Sequence, residues 1–181
     1  QQLQTQAAAW CEVNGLPELA IDHAQAAGDA DRVARLVESL AFPAYASGRA
    51  QTARRWFQWF EDQGLIDRYP LIATQGAFLQ VLAGQPEDIE RWAAAAAERQ
   101  SPAAEAILGA HTPPDGSTMA SHLALLRALL CRDGAGRMRA DAGAALAGLS
   151  PASPWRTAAM VFKGVSDLLE DWADRADAVA D

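Results

Sequence analysis

The chain has 181 residues, half of them hydrophobic, with 23 acidic side chains against 15 basic ones and a formal net charge of -8. A duplex-binding surface needs Lys and Arg to neutralise phosphates, and an anionic membrane surface draws on the same residues, so the charge balance argues against both. The length suits one domain or one run of repeats. An apolar fraction rich in Ala and Leu and poor in Val and Ile reads as helix packed closely on helix.

Strong turn signals divide the chain into short helices. The pattern predicts helices over 2–13, 17–27, 30–46 and 50–62, ended in turn by Asn14-Gly15, Gly28-Asp29, Gly48 and Gln63-Gly64. Pro17 falls in the first turn of its helix, where a missing N–H costs nothing. Further helices are predicted over 70–83, 86–100, 102–109, 117–132, 137–149 and 154–169, with a last one from 171 onward. The segment 109–117 is the longest predicted loop. Both ends read as helix interior, so the expectation is a piece of a larger protein. Cys11 and Cys131 sit in apolar helical stretches without a CxxC, which reads as two buried thiols of a reducing cytoplasm. The opening residues lack a basic leader, and no window is long and apolar enough for a membrane span.

An internal repeat organises these helices. Counting five, nine and twelve residues from Gly15 reaches Ala20, Ala24 and Ala27. From Gly28 the same count reaches Val33, Val37 and Leu40; from Gly48, Ala53, Phe57 and Phe60; from Gly84, Ile89, Ala93 and Ala96. Steps of four and three residues lie on one helical face, so each glycine ends one helix and the next presents a narrow apolar stripe. A fifth copy counts from Ala135 to Ala140, Ala144 and Ala147, and a degenerate sixth starts at Asp171 with Ala176 and Ala180. The expected fold is all-α: a TPR-like helix-hairpin solenoid of about five helix pairs in one domain over 1–181. The first two turns are too close for regular repeats, so 1–47 is an adaptor-like start and 48–181 the repeats. An ordinary helical bundle with glycine turns is the alternative.

Ala8, Trp10, Gly15, Ala20, Ile21, His23, Ala24, Ala27, Gly28 and Asp29, followed by Gly48-Arg49 and Trp56, carry a narrower likeness. This opening resembles the MalT-like, LuxR-type large ATP-dependent bacterial regulators at the point where their ATPase part passes into helical repeats. Pro154, Trp155, Arg156 and Gly164 resemble their later repeats, while 85–117 matches poorly. The resemblance implies a nucleotide-binding switch, a central helical sensor and a C-terminal helix-turn-helix. The chain has no GxxxxGK[ST] and no basic recognition helix, so it corresponds to the middle part alone, with ATP expected only in the parent's N-terminal domain. The implied function is a cytoplasmic sensor or interaction domain, taking a small-molecule inducer or a regulatory protein, with self-association as a further option. The resemblance also implies that Trp10 and Trp56 are core.

Catalytic and metal chemistry find little support. His23, His111 and His122 lie far apart in different elements, with His23 read as structural, and no serine sits in GxSxG or SxxK. The expectation is therefore no enzyme, no metal and no cofactor in these residues. Trp59 and Trp92 are expected to be partly exposed, and Trp155 to pack on the preceding helix pair. With the repeat register, the concave side of the first helix of each pair collects Arg35, Glu38, Phe42, Tyr45, Thr74, Phe78 and His122. That mixture of polar and aromatic groups suits a ligand groove. The competing function is a generic TPR-like scaffold that docks a protein and takes no small molecule.

Overall fold

The computed structural model describes residues 1–82, 91–94 and 113–180, with side chains through 173. Among the described residues the chain is all-α and contains no strand. The helices are α1 (Gln2–Val13), α2 (Pro17–Ala27), α3 (Ala30–Ala46), α4 (Ala50–Asp62), α5 (Pro70–Leu82), α6 (Met119–Leu130), α7 (Gly134–Gly148) and α8 (Trp155–Ala180). A short 3-10 turn, Ile66–Arg68, joins α4 to α5, and 91–94 is helical. The first four helices have the limits expected from their turn residues. Gly28 shows why: it takes φ +70, a left-handed cap that a side chain rarely adopts, and its own N–H and that of Asp29 donate back to the Gln25 and Ala24 carbonyls of α2. Asp29 then caps α3 by accepting the Arg32 N–H at 3.2 Å.

Substantial contacts join helices that are adjacent or next-but-one among those described. α1 packs on α2, α2 on α3, α3 on α4, α3 and α4 on α5, α5 on α6, α6 on α7, and both α6 and α7 on α8. The main apolar core runs from Ala8 in α1 to Ala159 in α8, and Ala128, Met138 and Ala142 form a smaller cluster between α6 and α7. The repeat stripes build the main core: Ala20, Ala24, Ala27, Val33, Val37, Ala53, Phe57, Phe60 and Ala93 are all buried, and Leu40 is half-buried. Each fully buried large side chain, such as Trp56, Phe60 or Ile21, contributes about 1.5–3 kcal/mol through lost apolar surface. No helix of the described residues is long and apolar enough to cross a membrane.

Several expectations are corrected. The fifth stripe is out of register: Ala140, Ala144 and Ala147 are exposed, and Met138, Ala142, Ala145 and Leu149 face inward. The burying count therefore starts from Asp133. Met138 and Leu149 supply the bulk that decides which face of an alanine-rich helix turns in. The two helices expected at the end are one continuous helix, because no Gly or Pro breaks the chain at Glu170-Asp171. Trp10 is 60% exposed, since α1 turns Ala8 and Cys11 toward α2 instead. Trp92 is only 1% exposed, lying over Gly76 and edge-on to Phe57 at 5.9 Å. Cys131 is half-exposed and left-handed at φ 45, as the C-cap of α6. Gly84, Ile89, Ala96 and His111 lie outside the described residues, as does helix 102–109. The side chains of Ala176 and Ala180 do too.

Candidate functional site

Most of the residues expected to line a concave groove are absorbed into packing. Thr74 is fully buried and its hydroxyl donates to the Pro70 carbonyl at 2.8 Å. Glu38 is buried, and its carbonyl accepts the Gln75 side-chain amide at 3.1 Å, tying α3 to α5. Phe42 and Phe78 are brought together, but through Trp155. The indole sits between them, with ring centroids 4.6 Å and 4.7 Å away, and is 5% exposed. Thus Trp155 packs on α3 and α5. Arg35 reaches the surface and pairs with Glu12 of α1 at 2.7 Å. Tyr45 borders a cleft of about 30 Å³ with Arg54, Phe57 and Trp92, room for little more than one water.

His122 belongs to a separate polar clasp that holds Trp155 in place. The Ser117 N–H donates to Asp115 at 3.0 Å, the Ser153 hydroxyl donates to the same carboxylate at 2.5 Å, and the Ser150 N–H donates to the Ser117 hydroxyl at 3.0 Å. Arg156 donates to the Leu146 and Leu149 carbonyls at 3.0 and 3.2 Å, satisfying the end of α7. His122 is 2% exposed, and its Nδ1 faces the Thr118 carbonyl at 3.1 Å. A carbonyl only accepts, so Nδ1 carries the proton. Burial pushes the imidazole below its ordinary 6.5, outweighing Thr118 and the Asp115 carboxylate 3.8 Å from Nε2. Burial raises the Asp115 carboxyl, but the hydrogen bonds from Ser153 and Ser117 outweigh it and leave it lowered overall. Histidine, carboxylate and serine are thus close, but the serine bonds the carboxylate rather than the imidazole. The arrangement fastens two loops and activates no nucleophile.

A roomier cavity lies where α6 turns into α7. It holds about 260 Å³ and is lined by Leu123, Leu126, Arg127 and Leu130 of α6, by Arg137, Met138 and Asp141 of α7, by Cys131, Arg132 and Asp133 of the turn, and by Ala93. The spacing of the α6 residues places them on one helical face. Asp141 is the organising group: it is 4% exposed, and its two oxygens accept Nε–H bonds from Arg127 and Arg137, both at 3.0 Å. This fixes two guanidinium groups beside an apolar floor. Three arginines and two carboxylates are among the residues that line the cavity. The sequence signal for it is the run Arg127, Arg132, Arg137 and Arg139, four arginines within 127–139. Its arginines are spread singly, so it does not register as a basic block.

Among the described residues no group of three or more His, Cys, Asp or Glu side chains could hold a metal. No family model matches this chain, and no curated protein or solved structure matches it.

Proposed function

We propose that this chain is a TPR-like helix-hairpin solenoid serving as the sensor or interaction domain of a LuxR/MalT-type bacterial transcriptional regulator. It binds an inducer or a partner protein in the cytoplasm and relays that binding to ATPase and DNA-binding parts elsewhere in the parent. The observation that carries the reading is the glycine-counted stripe. Three consecutive copies, from Gly15, Gly28 and Gly48, put their marked residues into the core, Leu40 being half-buried. The same segment carries the residues that resemble the regulators' handover from ATPase to repeats. Contacts between near neighbours in the chain are what a stack of repeats requires. The sensor reading assigns the chain a binding role and no reaction. Binding would act by favouring one state of the parent, which requires unequal affinity for two states.

A second reading, a scaffold that docks a protein and takes no small molecule, is favoured by one feature of α8. Val161, Val165, Leu168 and Trp172, spaced four, three and four apart, are 41% to 78% exposed. This is the spacing of a helix-packing seam. A thermal-shift screen against metabolites separates the two readings. A concentration-dependent rise in Tm with one compound class supports the sensor. No rise with any class, together with a stoichiometric protein partner, supports the scaffold.

A further inference from the structure

Burial of Trp155, Ala159 and Ser166 fixes the inward side of α8. On another side, Val161, Val165, Leu168 and Trp172 follow at steps of four, three and four, which lie along one line of a helix surface. They are 54%, 41%, 71% and 78% exposed. Those exposures leave roughly 500 Å² of apolar surface in one patch, a size that marks an interaction site on a folded chain. The charged side chains Lys163, Asp167 and Glu170 stand off that line. Lys163 bonds Asp167 at 2.8 Å, and Glu170 pairs with Arg139 of α7. The patch therefore suits an apolar, uncharged helical seam, and the same seam on a second copy has that chemistry. Turned about a two-fold axis passing between Val165 and Leu168, one α8 sets its Leu168 against Val165 of the other copy, and its Trp172 against Val161. Each layer then joins a large side chain to a smaller one, as close packing requires. A parallel pair would set Trp172 on Trp172 and valine on valine, crowding one layer and leaving others slack. Used twice, the patch covers about 1,000 Å², the area that a specific interface needs.

We propose that two copies of this chain dimerise through α8, antiparallel, with Val165 facing Leu168 and Val161 facing Trp172 across the two-fold axis. This rests on the protein-docking reading of α8 and deepens it by naming the occupant as a second copy. A two-fold contact uses the same patch on both copies, so it closes at a dimer.

The experiment is sedimentation velocity with light scattering on the chain at concentrations from about 1 to 500 µM. It shows a monomer–dimer equilibrium with Kd of about 100 µM or tighter, and no larger species. Leu168→Glu, at a position 71% exposed, raises Kd at least about tenfold. Leu3→Glu on α1, at a position 81% exposed, leaves it unchanged. Melting curves are recorded for both, and Trp172→Ala, which also raises Kd, carries the test if Leu168→Glu unfolds. The antiparallel register is read from a mixture. Val161→Lys and Trp172→Glu each weaken the dimer alone. An equimolar mixture of the two restores it, because the mixed dimer sets the new lysine against the new glutamate in one layer and keeps valine against tryptophan in the other. Four results overturn the proposal: a monomer at every concentration, species larger than a dimer, Leu3→Glu weakening association as much as Leu168→Glu, or a mixture that associates no better than either variant alone. The protein-docking reading fails on a different observation, a metabolite that raises Tm while no protein binds, so the two failures are distinguishable.

Discussion

Gly76→Ala opposes two effects whose sizes are known. Gly76 lies inside α5, where replacing glycine by alanine ordinarily stabilises a helix by about 1 kcal/mol. Here a Cβ would lie 2.4 Å from Cε3 and 2.6 Å from Cζ3 of Trp92. Ordinary contact begins near 3.4 Å, so the indole must retreat by about 1 Å. It has nowhere to go: it is 1% exposed and rests against Phe57. Overpacking of this kind costs about 1–3 kcal/mol or more, and the clash here belongs at the upper end. The net expectation is a loss of about 1–2 kcal/mol, a fall in Tm of roughly 2–8 °C for a chain of this size. Urea and thermal melts of the wild type, Gly76→Ala, Trp92→Leu and the double variant measure it as a cycle. In the Trp92→Leu background the alanine should be neutral or stabilising. If Gly76→Ala stabilises the wild type, or the coupling lies within about 0.5 kcal/mol of zero, the packing of 91–94 against α5 is not as described.

Three further outcomes are expected. Gly143→Ala, with nothing within 4 Å of its Cβ, should stabilise by about 0.5–1 kcal/mol. Gly148→Ala should destabilise, because its Cβ would meet Thr118 Oγ1 at 2.7 Å and Ser121 Cβ at 2.9 Å; chemical denaturation of both separates propensity from close approach. Trp155→Ala should cost about 3–5 kcal/mol, since it removes the ring between Phe42 and Phe78; a loss under about 1 kcal/mol would mean that the indole is not wedged there. His122 has a folded pKa below its ordinary 6.5. The unfolded chain therefore takes up its proton first, and stability falls as pH drops below about 6.5. Asp115 has a folded pKa below its ordinary 3.8, so its contribution is complete above that value and is lost only as pH falls through the lower one. Melting temperatures from pH 7.5 to 5 should decline less steeply in His122→Asn than in wild type, and parallel curves would contradict the assignment.

The helices were legible where glycine marks their ends, which is why α1 to α4 keep their expected limits. Burial was legible where bulky residues define the stripe, as at Val33, Val37, Phe57 and Phe60. It failed where alanine occupies both faces: in α7 the hydropathy of Ala140, Ala144 and Ala147 equals that of Ala142 and Ala145, and tertiary contacts of Met138 and Leu149 choose between them. Trp155 closing over Phe42 and Phe78 joins residues far apart in the chain, which no local pattern encodes. The α6–α7 cavity was missed for a related reason. Its arginines and leucines lie on two helices and a turn, and only the folded hairpin brings them to Asp141.

The central proposal, that this helical array is the sensing part of a MalT-like regulator, is tested most directly by sequencing the gene outward on both sides of these residues. The reading predicts a phosphate-cradling GxxxxGK[ST] loop on the N-terminal side and a helix-turn-helix with a basic recognition helix on the C-terminal side. A parent protein with neither would contradict it.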